Sequence, residues 1–145
     1  MDTKQLKKCL RPALGPIFLG VFPSDKIPPV KHPAALVLNT DPHDEPGRHW
    51  VAIYIDECGH GEYFDSFGNP PLVPSIQSFL DDETLSWTCN TTCLQANDST
   101  ICGKYCIFFL ILRHKNYSFQ NILDVFFKDY GRNDNMVCSL VNRYL

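Results

Sequence analysis

Apolar residues along the chain gather into short runs set apart by polar, Pro-marked or Gly-marked breaks, and the period of each run predicts its element. AALVLNT (34–40) is a compact apolar run of the length of a buried strand. HWVAIYID (49–56) and EYFDSF (62–67) are rich in β-branched and aromatic residues and flank ECGHG, whose glycines suit a hairpin turn. LSWTCNTTCLQ (85–95) has the composition of a further strand. A helix is predicted over Asp2–Leu10, ended by Pro12 and the Gly15–Pro16 turn signal, and another over 73–82 after Pro70–Pro71. ANDST supplies N-cap candidates for a helix from about residue 100 to 113. Phe119, Ile122, Leu123, Phe126, Phe127 and Tyr130 fall at helical spacing and are predicted to face the core. Met136, Val137, Leu140, Val141 and Tyr144 repeat that spacing after a break at Gly131.

The segments 23–33, with four prolines, and 41–48 are predicted as an irregular connection and a polar loop. Strands gathered in the first two thirds and helices grouped late predict an α+β fold, a mainly antiparallel sheet packed against helices. With 145 residues and no internal repeat or linker, the expectation is a single domain over 1–145.

Composition narrows the function classes. Hydrophobic content of 44% and charged content of 20% are those of an ordinary globular protein. The longest apolar run, Ile107–Leu112, is far short of the roughly 18 residues of a membrane span, so no membrane association is expected. MDTKQLKKCL lacks the apolar stretch of a secretory signal. A net charge of −3 argues against a dedicated nucleic-acid binder, with Lys4, Lys7 and Lys8 forming only a small basic face. The seven cysteines, at 9, 58, 89, 93, 102, 106 and 138, are an odd number and widely scattered. That pattern predicts reduced thiols in an intracellular setting rather than a disulfide scaffold. Cys89/Cys93 and Cys102/Cys106 have a spacing known from zinc sites, but a strand would splay the first pair, and no metal is expected.

One cysteine has the surroundings of a nucleophile. A thiol needs a base to take its proton and a third group to orient that base. Cys102 is predicted in the first turn of a helix, where the partial positive charge favours thiolate, between the small neighbours Thr100 and Gly103. His49, opening a strand beside Trp50, is the candidate base, and Asp65, closing the partner strand, the candidate orienting acid. Counting from the turn sets Asp65 nearer Ile53 than His49, so their contact needs a bend or bulge. The Cys102 N–H and the Gln95 amide are candidate oxyanion donors. Trp50 would shield the histidine ring or simply fill the core. Cys106, one turn on, is predicted to pack in the core, and His32, His43, His60 and His114 have no catalytic assignment.

GPIFLGVF, AALVLNT, GRHW, YFDSFG and QANDSTICGKYC, in that order from about Gly15 to Leu112, resemble the adenovirus-type cysteine protease, adenain. More broadly they are similar to the fold shared with ubiquitin-like-protein-specific proteases. The resemblance implies His49 as general base, Asp65 as orienting acid, Cys102 as nucleophile and Gln95 as oxyanion-hole side chain. Adenain carries Glu where this chain has Asp65, is longer and basic, and uses DNA and a small disulfide-linked peptide as cofactors. No cofactor is required by the present sequence. DNA and an activating peptide enter only through the resemblance, and neither Cys89 nor Cys93 matches the peptide-linked cysteine.

The expected function is a cysteine endopeptidase that cleaves viral or transposon precursor proteins. The resemblance implies cleavage beside glycine, with an aliphatic residue two or three positions upstream. The alternatives are an isopeptidase acting on ubiquitin or a ubiquitin-like modifier, and a catalytically silent binding relative. The expected partner is a polypeptide substrate, the expected state a monomer, and the expected location the host nucleus or cytoplasm or a virion.

Overall fold

The computed structural model describes residues 1–44 and 49–145. Gly47 and Arg48 of the GRHW element, and half of the predicted loop 41–48, lie outside the described residues. Five strands form one sheet in the order β1 (Phe18–Phe22), β2 (Ala34–Asn39), β3 (Trp50–Ile55), β4 (His60–Phe64) and β5 (Ser86–Cys89). The two central pairings are antiparallel, as the sequence predicts, while β1–β2 and β4–β5 are parallel, which makes the sheet mixed. Strand β1 is an addition to the sequence reading. Its connection to β2 is the irregular proline-rich segment 23–33, which returns the chain without a helix.

Both faces of the sheet are covered, so β2 is buried at every position rather than alternating with solvent. Ala34, Leu36 and Leu38 share one face with Val51, Ile53, Ile55 and Tyr63 and pack on helix α2 (Pro74–Glu83) through Ile76, Phe79 and Leu80. Ala35, Val37, Ala52 and Phe64 share the other face with helices α1 (Thr3–Leu14) and α3 (Cys102–His114). Tyr105 to Ile111 of α3 are all buried, and Phe109 stacks on Phe64 with ring centroids 4.7 Å apart. Each such fully buried side chain contributes roughly 1.5–3 kcal/mol, so α3 is the most firmly held helix of the fold.

Helix α1 runs four residues beyond its predicted end. Asp2 and Gln5 form a reciprocal capping box at its start. Pro12 costs one main-chain bond, but it sits on the exposed side, and burial of Leu10 and Leu14 holds the last turn to Gly15. Strand β5 is shorter than predicted and stops at Cys89; from Asn90 the chain bonds to a turn instead of a ladder. Helix α3 begins at Cys102 behind Ile101, which provides no side-chain cap. Ser99, one of the predicted caps, is bonded to Gln95 instead.

The predicted helix over 119–130 is two pieces, α4 (Phe119–Asp124) and the start of α5 (Tyr130–Val141). A buried side chain distant in period makes the break: Asn133 accepts from the Phe127 N–H at 2.7 Å and donates to the Phe127 carbonyl at 2.9 Å. Asp129 then caps α5, and Gly131 lies in its first turn instead of breaking it. Ile122 is buried as predicted, whereas Phe127 and Tyr130 are exposed.

The turn that follows β4 is the tightest contact near the sheet end. Gly68 has φ +74°, and a Cβ there would lie 2.6 Å from the carbonyl carbon of Thr92 and 2.7 Å from its oxygen. Main chain meets main chain, so neither side can yield by rotating a side chain. Gly68→Ala should lower the urea-unfolding free energy by on the order of 2 kcal/mol; a change below about 0.5 kcal/mol would show that the two segments separate freely.

Candidate active site

The hairpin register decides whether His49 and Asp65 can meet. Its turn occupies residues 56–59, closed by the Asp56 N–H to the His60 carbonyl, and Ile55 pairs with Gly61. Ile53 therefore faces Tyr63, not Asp65, and the ladder ends at Ala52–Phe64. Asp65 falls just past β4 and His49 just before β3, at one end of the hairpin. Their side chains meet with Nε2 and Oδ1 2.8 Å apart. Continued one step, this register sets Asp65 opposite Val51, and the remaining distance to His49 is closed beyond the end of the ladder, where the chain leaves β4 and turns at Asp65.

Asp65 is 3% exposed, and its surroundings leave it little freedom. Oδ1 also accepts the Phe67 N–H at 2.9 Å, an Asx turn that fixes the carboxylate relative to its own main chain. The buried Asn90 side chain accepts from the Asp65 N–H at 3.0 Å and donates to its carbonyl at 2.7 Å. The Phe67 ring lies 5.2 Å from the His49 ring, tilted by 34°. Asn90, Ser66 and Phe67 are the residues that sequence reasoning missed. Phe67 and Ser66 flank the assigned acid, but a lone Asn after a strand carries no signal that it reaches back across 25 residues.

Cys102 is the first residue of α3 and is 7% exposed. Burial opposes its ionisation, but the neighbouring His49 ring, the main-chain N–H of Trp50 and the Gly103 N–H together bring its pKa below the ordinary thiol value. His49 moves in the complementary direction. Burial alone would lower it, yet the bond to Asp65 and the contact with Cys102 carry it up to about 9. With Nε2 held by Asp65, Nδ1 is the ring nitrogen left for the thiol. Each group is thus shifted toward its charged form, the thiol toward thiolate and the imidazole toward imidazolium. Cys106, one turn later, behaves oppositely: burial pushes its thiol well up, and it stays a neutral part of the core.

Trp50 is buried against this helix turn; a Cβ on Gly103 would lie 3.4 Å from its Cδ1. Gln95 is fully buried, but its amide bonds Ser66 and Ser99 and makes no hydrogen bond to His49, Asp65 or Cys102 among the described residues. The main chain of Leu94 and Gln95 is anchored from both sides. Their N–H groups reach the Ser66 carbonyl at 2.8 and 3.1 Å, and Asn133 of α5 donates to the Leu94 carbonyl at 3.0 Å.

The α+β fold, one mixed five-stranded sheet covered by helices, is a cysteine-protease fold. The chain shares that fold with ChlaDub1 of Chlamydia trachomatis, with a TM-score of 0.55 at 19% identity over 77% of this chain and 58% of that one. It shares it also with the C. trachomatis effector protein Cdu1, solved bound to ubiquitin, with a TM-score of 0.53 at 23% identity over 66% and 46% of the two chains. No family model matches the chain. By sequence it is homologous to the cysteine protease of African swine fever virus, 35% identical over an aligned length of 98 that covers 60% of this chain and 36% of the viral protein. The protein from other isolates of that virus, named a SUMO-1 cysteine protease, is 34% identical over 98 residues. The chain thus spans about a third of the length of the curated relatives it matches.

Alkylation of Cys102 by iodoacetamide, followed against pH, should show a midpoint below the ordinary thiol range. That midpoint should move up in His49→Ala, where the thiolate loses its cationic partner. A midpoint indifferent to His49→Ala would mean that the two groups do not titrate together.

Proposed function

We propose that the chain is a thiol peptidase in which Cys102 is the nucleophile, His49 the general base and acid, and Asp65 the orienting acid. The observation that carries this reading is the 2.8 Å His49–Asp65 contact at the sheet end facing a Cys102 whose thiol is shifted toward thiolate. The Cys102 sulfur attacks a peptide carbonyl carbon, and the developing oxyanion is taken by the Cys102 N–H at the helix start and by the Gln95 amide. His49, protonated on Nδ1, gives that proton to the leaving amine as the C–N bond breaks. It then removes a proton from the water that cleaves the thioester and regenerates the thiol. Asp65 keeps Nε2 protonated, which directs the exchanging proton to Nδ1. Trp50, buried beside Cys102, keeps bulk water from the ion pair.

The substrate class proposed is a polypeptide, with precursor cleavage as the first reading. The second reading is hydrolysis of a bond to a ubiquitin-like modifier. It is favoured by the name of the viral relatives and by the ubiquitin-bound structure of Cdu1. A panel of glycine-containing peptides run beside ubiquitin and SUMO fusions, with and without DNA, separates the two. Cleavage of the peptides supports the endopeptidase, and cleavage of the fusions alone supports the isopeptidase.

Cys102→Ser and His49→Ala should each lower kcat/KM on the preferred substrate by about 10³-fold or more. Because the imidazolium is the acid that releases the amine, activity should persist through neutral pH and fall as pH rises through about 9. Retention of full turnover in either variant, or on the far side of that limb, would remove the proposed mechanism.

A further inference from the structure

The Gln95 amide is held by a clamp whose two sides fix which of its ends is the donor. On one side stands the Ser99 main-chain carbonyl, 3.0 Å from Nε2. A carbonyl can only accept, so the atom facing it must be the amide nitrogen. On the other side the Ser66 hydroxyl lies 2.6 Å from Oε1 and is buried, 1% exposed. It donates to the amide oxygen, which has no other partner among the described residues. Turning the amide over would set two oxygens against each other at Ser99 and take the acceptor away from the Ser66 hydroxyl. One Nε2 hydrogen is thus spent on the Ser99 carbonyl. The second rests on the Ser99 hydroxyl at 3.2 Å, the longer of the two contacts.

We infer that Ser66 is a positioning residue for the oxyanion donor: its hydroxyl holds Gln95 Oε1 while the second Nε2 hydrogen exchanges the longer contact with the Ser99 hydroxyl for the developing oxyanion. The inference rests on the proposed oxyanion role of Gln95 and adds a partner to it. Ser66 is also the residue next to Asp65, and its carbonyl accepts both the Leu94 and the Gln95 N–H. A single turn thereby sets the histidine's acid and the oxyanion donor in one rigid frame. The consequence is chemical as well as structural. With Ser66 absent, Oε1 is a buried acceptor without a donor, and the amide is held at its Nε2 end alone, by Ser99. The cost falls on a step in which an oxyanion forms, and on no other.

The test separates those steps. Alkylation of Cys102 by iodoacetamide is a displacement at carbon that forms no oxyanion, so it reports the ion pair and the fold but not Gln95. Ser66→Ala should lower kcat for a peptide substrate about tenfold, the effect of one lost hydrogen bond, with KM and the alkylation rate within about twofold. Ser66→Thr, which keeps the hydroxyl, should retain kcat to within about threefold. In a Gln95→Ala background, Ser66→Ala should have no further effect on kcat, because its partner is gone.

Equal losses of alkylation and turnover in Ser66→Ala would make its role merely structural and overturn the inference, as would unchanged kcat. If Ser66→Ala does not fold, a folded Ser66→Thr with a tenfold loss of kcat would overturn it equally. Gln95→Ala keeps the two readings distinguishable. Unchanged kcat there sinks the oxyanion assignment itself, whereas a large loss there with none in Ser66→Ala sinks only the role of Ser66.

Discussion

A carboxylate removed from water must have its acceptor positions filled, and burying Asp65 imposes that requirement on half of the molecule. Its Oδ1 takes the His49 ring and the Phe67 N–H, and its main chain is closed by Asn90. Those partners come from the start of β3, from the turn after β4 and from the segment after β5. Bringing them to one point requires the hairpin to have its observed register. It also requires β5 to lie parallel to β4 and the chain at 92–93 to pass close enough that only glycine fits at 68. Because each contact is made in a buried setting, leaving any one unmade costs about 1–3 kcal/mol. The fold around the site is therefore specified by polar satisfaction as much as by apolar packing.

The core supplies the second half of that frame. Helix α3 is anchored by the run Tyr105–Ile111 between the sheet and helices α1 and α5. Its first turn is consequently fixed in height over the strand ends, and Cys102 with it. The Tyr105 hydroxyl donates to Asp134 at 2.6 Å, and Asn133 holds the Leu94 carbonyl, so α5 ties the helix to the segment that carries Gln95. Two groups on consecutive turns of one helix then diverge in chemistry. Cys102 lies beside an imidazole and main-chain donors, while at Cys106 burial comes first and the nearby Cys102 and Asp65 charges add to the cost of ionising it. The two thiols, shifted in opposite directions, are separated by about 6 Å of helix rise, four residues at 1.5 Å each.

Much of this was legible in the sequence, where the determinants are local. The β2 run, the β3–β4 hairpin, α2 and the placement of Cys102 in a first helical turn follow from composition and period. The convergence of His49 and Asp65 was visible as a direction but not as a distance, because shifting the centre of the turn by one residue moves the residue that faces Asp65 by two. Strand β1 was hidden by Gly20 and by its pairing partner, which lies beyond eleven irregular residues. The break between α4 and α5 and the true length of β5 depend on Asn133 and Asn90, side chains that act over long sequence separations. Period and propensity carry no trace of such bonds. The donors around Gln95 were missed for the same reason.

The aspartate at 65, where adenain carries glutamate, follows from the same geometry. An Asx turn needs a side-chain oxygen three bonds from Cα, so that Oδ1 can reach the N–H two residues ahead. Asp65 meets that requirement and, with the same oxygen, orients His49. A glutamate would carry its carboxylate one methylene farther and lose the bond to the Phe67 N–H at its present place. The backbone would then have to withdraw from His49, pulling Ser66 away from Gln95 and opening the close contact of Gly68 with Thr92. In this chain the shorter acid is tied to the turn that it begins. The departure at this one position is thus coupled to Asn90, Ser66 and Gly68, and exchanging it alone would disturb all three.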